Sequence, residues 1–435
     1  MAVPMAIGMF FNTAYSVVDT FYAGLISTDA QASLSIASQV FFLLIAVGFG
    51  LSSAMAALIG NAYGEGDTER ARQIAQKGLL FGALVSFLLT LVGLYLAPEL
   101  IKLISTEGPY RTGANHYLNW LLLGVIFFLL AFIGNGILQA RGDTRSMQRA
   151  HIVAFFANLA LNPLFIFGIP GLFPAFGFNG LALSTLLSQS GVMFYILFRV
   201  FKTGTFANAS LASFLRMEWQ IYRDILAQAI PSTFTMMLMI LSGFVIQFFL
   251  KDFGSQAVAG YGVAMRIEQL VLLPVFGLTG SLMPLAAQNY GAKNYQRVRE
   301  AAFFCFRFGC TMMLLSGAFL WFLGGVVLTF FTSNPEVVRI GASYLKVTGL
   351  IHWAYLIMFA INSLLQAFKK PAWSLLIGIY RQGIGIALFS YIYLAIFDFG
   401  VIGIWLGIAT SVLTGMLLSV VIIRRLARQL GVLAA

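Results

Sequence analysis

Apolar residues run in stretches of 20 or so along the whole chain, separated by short clusters of charge, glycine and proline. A helix needs about 20 apolar residues to cross a bilayer, so each stretch predicts a spanning helix. Twelve are read, at about 2–26, 32–60, 75–97, 115–140, 148–170, 177–202, 225–250, 256–288, 301–331, 340–368, 372–397 and 399–424. One connection is long and polar, about 203–224, and carries Arg216, Glu218, Arg223 and Asp224. It divides the chain into an N-terminal lobe (1–202), a cytoplasmic linker (203–224) and a C-terminal lobe (225–435). The expected fold is an all-α polytopic membrane protein, with twelve transmembrane helices in two pseudo-symmetric six-helix lobes.

Composition sharpens this picture. Of 435 residues, 60% are apolar and 9% charged, against roughly 45–50% and about 25% in soluble domains. A soluble fold with that content would have a greasy, uncharged outside. A soluble enzyme, a disordered chain and an ordinary DNA-binding domain are therefore excluded. The net charge of +11 is a matter of sorting. Eighteen of the 26 basic residues follow the even-numbered spans and five follow the odd-numbered ones; Arg266, Arg307 and Arg381 lie within spans. Basic loops stay in the cytoplasm, so both termini are expected there, in a multi-pass protein of the cell inner (plasma) membrane. No basic groove interleaved with aromatics supports nucleic-acid binding. Cys305 and Cys310, five apart, fall on different faces of one helix and are not expected to pair. No metal-ligand pattern, P-loop or catalytic constellation is present, so no enzyme activity and no cofactor are expected.

A charge inside a membrane is costly, about 2.5–3.5 kcal/mol at a helix centre on insertion scales. Of 15 acids, two fall within spans: Asp19 in the first and Glu268 in the eighth. Asn12, Tyr15 and Asp19 recur at helical spacing and predict a polar stripe. Burial disfavours the charged form of a carboxyl group and hydrogen-bond donors favour it, which makes such a group tunable for proton uptake and release. Asn158 and Asn162 share a face of span 5, just before Pro163, and Asn135 lies in span 4. An Asn side chain both donates and accepts, so it suits a carboxyl in either protonation state. Ser184, Thr185 and Ser188 in span 6 read as polar glue between helices. Glu268 has either a structural or a secondary coupling role; Gln247 and Asn362 are the midspan polar residues of spans 7 and 10.

The two halves repeat at an offset of 227 residues. Pro4 matches Pro231, Phe49-Gly50-Leu51 matches Phe276-Gly277-Leu278, and Tyr63-Gly64 matches Tyr290-Gly291. Arg70 and Arg72 match Arg297 and Arg299; Asn135, Leu138, Gln139 and Ala140 match Asn362, Leu365, Gln366 and Ala367. Six spans per repeat give both halves the same orientation, related by an axis along the membrane normal, as in transporters.

On these features, with Gly-Asn-Ala-Tyr-Gly (60–64), Gln-Asn-Tyr-Gly-Ala (288–292) and Leu-Gln-Ala-Arg-Gly-Asp-Thr-Arg (138–145), the chain resembles the multidrug and toxic compound extrusion (MATE) family over nearly its whole length. Similarity to the DinF-like branch implies that Asp19 is the proton-coupling carboxylate, Asn135, Asn158 and Asn162 its polar surround, and Pro4 a hinge. Some relatives carry an aspartate where Asn162 stands here. The resemblance implies a monomeric antiporter that exports lipophilic, often cationic small molecules, with the proton as coupling ion. Its NorM-like branch implies a sodium-coupled alternative, but spans 7 and 10 carry no acid here. A flippase for lipid-linked oligosaccharides is a further alternative from the same superfamily.

Overall fold

The computed structural model describes residues 2–105, 107–206, 214 and 216–432. Residues 207–213 and 215 of the expected linker lie outside them. Twelve helical segments follow in order: α1 (Ala2–Ile26), α2 (Thr28–Gly64), α3 (Thr68–Ile104), α4 (arms Pro109–Leu123 and Val125–Ala140), α5 (Ser146–Phe167), α6 (Phe178–Lys202), α7 (Trp219–Leu250), α8 (Ser255–Gly291), α9 (Tyr295–Thr329), α10 (Pro335–Ala367), α11 (Pro371–Ala395) and α12 (Val401–Gln429). Among the described residues there is no strand beyond one isolated bridge, Ile169 to Phe173. Among the described residues, ten helices are long and apolar enough to cross a membrane, and the two arms of α4, bent by 49°, make an eleventh if they are one span. At 25 residues α1 has the length as well; Asn12, Thr13, Ser16 and Asp19 dilute its apolar character.

Most helices outrun the apolar stretches that predict them, because their ends are set by caps at the aqueous edge. The side chains of Ser27, Asp67 and Asn294 accept from the backbone N–H three residues on, at 3.0, 2.9 and 3.2 Å. Each satisfies a donor that the first helical turn leaves unpaired. Asp67 and Asn294 are 227 positions apart, and α2 and α8, each 37 residues long, also begin 227 apart. The sequence repeat is thus a repeat of helix lengths and caps.

The chain forms two compact units, one of Ile7–Thr233 and one of Met1–Ala6 with Phe234–Ala435. Their limits differ from the lobe boundaries read at 202 and 225. The division cuts α1 after Ala6 and α7 after Thr233, which are equivalent positions in the repeat. Side-chain packing explains it. In one unit, Ser281 Oγ of α8 lies 3.4 Å from Met5 Sδ of α1. In the other, α7 passes so close to α2 that a Cβ on Gly50 would stand 2.1 Å from Thr233 Oγ1. Lys77 lies within α3, 1% exposed, with Glu218 Oε1 at 3.6 Å. Its ammonium donates to the carbonyls of Phe214 and Arg216, so it straps the described part of the linker onto α3.

Candidate functional site

The site is built where α1, α5 and α6 meet in the Ile7–Thr233 unit. Tyr15, Asp19 and Ala23 recur every four residues on the buried face of α1. On α5, Pro163 has no N–H to give the carbonyl of Leu159 one turn back. Tyr22 of α1 gives its hydroxyl to that oxygen instead, at 3.4 Å. The proline thus opens α5 beside the two asparagines and provides a second α1–α5 contact.

Asp19 is 6% exposed and Asn158 and Asn162 are fully buried. Asn162 Nδ2 donates to Asp19 Oδ1 at 2.9 Å and to Asn158 Oδ1 at 3.0 Å. Asn162 Oδ1 accepts from Asn158 Nδ2 at 3.4 Å and from the hydroxyl of Ser184 on α6. Thr185 Oγ1 donates to Asp19 Oδ2 at 3.3 Å. Each carboxylate oxygen therefore has one donor from a neutral side chain. No cation pairs with Asp19 among the described residues. The hydroxyls of Tyr15 and Ser188 are buried here without a protein hydrogen bond.

Two expected members lie elsewhere. Asn12 is exposed: although it shares a helix face with Asp19, the space between α1 and α5 at its level is filled by Phe11 against Phe155, centroids 5.4 Å apart. Asn135 is outside the cluster, its Oδ1 buried and unbonded. Pro4 sits in the first described turn of α1, where a missing N–H breaks no intrahelical bond. The structure adds Thr185 and Ser184 as direct partners. It also adds Tyr117 of α4, close enough to Asp19 to feel its charge and stacked on Phe178 at 5.2 Å.

The second intramembrane acid, Glu268, is 5% exposed in the other unit. Tyr344 donates to its Oε2, and His352 Nε2 lies 3.4 Å from its Oε1, with Ser316 Oγ 3.1 Å from the other ring nitrogen. Arg266, two residues before, is exposed and turned away. Tyr344 is the repeat equivalent of Tyr117, and Trp405, which it meets edge-on at 5.0 Å, is the equivalent of Phe178. Asp19 has no counterpart: 227 positions on stands Ile246, and the counterparts of Asn158 and Asn162 are Gly385 and Phe389. Gln247 is exposed and Asn362 Oδ1 accepts from Gln366 Nε2 at 3.1 Å. No three metal-ligating side chains come together among the described residues.

The loop motifs act as clasps at the helix ends. Arg141 donates to the Tyr63 hydroxyl at 2.7 Å and lies 5.3 Å over its ring. In the other half, Tyr290 meets Phe368, the equivalent of Arg141, at 4.9 Å. Asp143 accepts from the N–H of Arg145 and Ser146, the Ser146 hydroxyl and Arg199. Partial burial pushes its carboxyl up, but the Ser146 and Arg145 donors and the Arg199 charge outweigh it and hold the group below its ordinary value.

The MatE family profile matches residues 4–164 and again 231–392, two copies that begin 227 residues apart. An FAD transporter of Shewanella oneidensis is 27% identical, covering 88% of this chain and 84% of the relative. The probable multidrug resistance protein YoeA of Bacillus subtilis is 26% identical, covering 90% and 85%. Among solved structures, a MOP superfamily transporter from Pyrococcus furiosus superposes with a TM-score of 0.91 at 23% identity, covering 99% of this chain and 95% of that one.

Proposed function

The chain belongs to the MatE family of transporters, and we propose that it is a proton-coupled antiporter of the DinF-like branch that exports lipophilic, often cationic small molecules by alternating access. The observation that carries this reading is the environment of Asp19. Among the described residues the buried carboxylate is held by neutral donors, Asn162 and Thr185, and has no cation to fix its charge. It can therefore take up a proton without breaking an ion pair. Protonation turns one carboxylate oxygen into a donor that needs an acceptor. In this reading the hydroxyl of Tyr15, one turn away on the same buried face and without a protein partner, supplies it. Asn162 also bonds Asn158 and Ser184, so a change at Asp19 passes directly to α5 and α6. In this reading Pro4 is the point at which α1 flexes.

The driving force is about 2.3 kcal/mol per charge per 100 mV, plus the pH gradient. The bias of basic residues toward the even-numbered loops supports an inner-membrane protein with both termini in the cytoplasm. Proton coupling is preferred to sodium because Gln247 and Asn362, neutral groups, stand at the midspan polar positions of α7 and α10. Glu268 is satisfied by Tyr344 and His352 and serves at most as a secondary coupling group. A second reading, export of a flavin dinucleotide, is favoured by the similarity to the FAD transporter of Shewanella oneidensis.

The test is efflux of a fluorescent lipophilic cation from energised cells lacking their own pumps. Efflux should collapse when an uncoupler removes the proton gradient. Efflux that follows an imposed sodium gradient instead would overturn proton coupling.

A further inference from the structure

The Phe234–Ala435 unit holds a cleft between α7, α10, α11 and α12, lined among others by Asn362, Tyr355, Phe359, Ser374, Arg381 and Gln382. Arg381 is the single formal charge in that lining, and no carboxylate accompanies it. Its guanidinium makes no ion pair or hydrogen bond among the described residues and stands 6.0 Å over the Tyr355 ring. Glu268, the buried acid of this unit, is outside the lining, its oxygens engaged by Tyr344 and His352.

The backbone presents this charge in a particular way. Arg381 sits in the π-helical turn Ile379–Gly385 of α11, a local widening of the kind that recurs at functional sites. Ser411 of α12 donates to the Arg381 carbonyl at 2.6 Å. A Cβ on Gly415 would lie 3.2 Å from both Cβ and Cγ of Arg381, so α12 passes directly against the arginine stem. Further polar groups point the same way. The side-chain oxygens of Gln382 and Ser374, residues each 5% exposed, have no protein partner. Asn362 uses its oxygen on Gln366, which leaves its N–H groups to donate. Tyr355 and Phe359 lie nearly parallel, 18° apart, and form a flat aromatic wall.

An arginine within a membrane span is costly, and here no protein anion offsets it. Its planar fork matches the two oxygens of a carboxylate or phosphate. We propose that this cleft binds the anionic head of an amphipathic cargo, a carboxylate or phosphate carried on an apolar or aromatic body, with Arg381 as its anchor. The inference rests on the export reading and adds an anionic class of cargo to the lipophilic cations proposed for it. A cationic head would meet like charge here, whereas an anionic head gains charge-assisted hydrogen bonds while its body lies on Tyr355 and Phe359.

The test uses purified full-length protein in nanodiscs of zwitterionic phosphatidylcholine, titrated with riboflavin 5′-phosphate and with riboflavin, which share one ring system and differ in the phosphate. The phosphate form should bind more tightly. Arg381→Gln should weaken it about tenfold or more, the size of a lost charge-assisted bond, with riboflavin affinity unchanged. Arg381→Lys, which keeps the charge but not the fork, should lose less. A second arm adds phosphatidylglycerol to the discs. Competition that depends on Arg381 identifies a lipid head as the occupant, and absence of competition identifies a soluble anion; both agree with the anion site. Equal affinity for the two flavins, or unchanged phosphate-form affinity in a monodisperse Arg381→Gln protein, would overturn it. Equilibrium binding needs no gradient, so this failure is separate from a failure of proton coupling, which appears only in the uncoupler experiment.

Discussion

Asn162 on α5 donates a 2.9 Å hydrogen bond to Asp19 on α1, and the same amide group also reaches Asn158. One buried side chain thus joins the candidate proton site to two further helices, since its oxygen takes the Ser184 hydroxyl of α6. Replacing it by alanine removes a donor from the carboxylate, leaves the Asn158 amide without its partner and leaves the Ser184 hydroxyl only the Leu181 carbonyl of its own helix. Asn162→Ala should lower thermal stability by about 1–3 kcal/mol, the usual cost of unsatisfied buried polar groups. It should also reduce gradient-driven efflux well beyond that. Drug resistance at wild-type level, at matched expression, would contradict the relay.

Lys77 tests the strap between α3 and the linker. Lys77→Met keeps the length of the stem but leaves the Phe214 and Arg216 carbonyls without their ammonium donor. A stability loss of about 1.5–3 kcal/mol is expected, the range for hydrogen bonds to charged groups. Limited proteolysis should cut the linker faster in the variant. Unchanged cleavage and unfolding midpoint would show that the lysine does not hold the linker.

Gly317 on α9 and Gly349 on α10 approach backbone to backbone. A Cβ on Gly317 would stand 2.1 Å from the Gly349 carbonyl oxygen, and that obstacle is main chain, which cannot rotate aside. Gly317→Ala should therefore cost at least the 1–3 kcal/mol or so typical of overpacking, read as a lower unfolding midpoint and yield. A neutral result would mean the two helices have room to separate.

Asp143 predicts a pH dependence. Its carboxyl is held below the ordinary value of 3.8, so its stabilisation is fully present above that pH and fades as the pH falls through the lower folded-state value. Asp143→Asn should unfold at a lower temperature than the wild type at pH 7. The gap should narrow as the pH drops below about 4, where the wild-type carboxyl is itself neutralised in the unfolded state. A gap that stays constant with pH would exclude the charge as its source.

The parts legible in the sequence were those with a high energetic cost or a strict period. Asp19 stands out because a carboxylate in a span is expensive, and the i, i+4 spacing of Asn158 and Asn162 places both on one face. Thr185 and Ser184 are ordinary polar residues of a membrane helix, and nothing local distinguishes their bonds to Asp19 and Asn162 from interhelical glue. Tyr117 is hidden among many aromatics; its one signal is the 227-residue match to Tyr344. Asn12 fails for a steric reason, since helix periodicity fixes a face but not what fills the gap opposite, here Phe155. His352 reaches Glu268 from 84 positions away, a contact that no local spacing encodes. The unit limits within α1 and α7 follow from packing on α8 and α2, not from the polar linker.

The central claim is that Asp19 carries the coupled proton. Its most direct measurement is proton exchange by purified protein in weakly buffered solution on addition of a transported lipophilic cation, compared between wild type and a folded Asp19→Asn variant. The account predicts proton release on cargo binding by the wild type and none by the variant. Equal release by both proteins would contradict it.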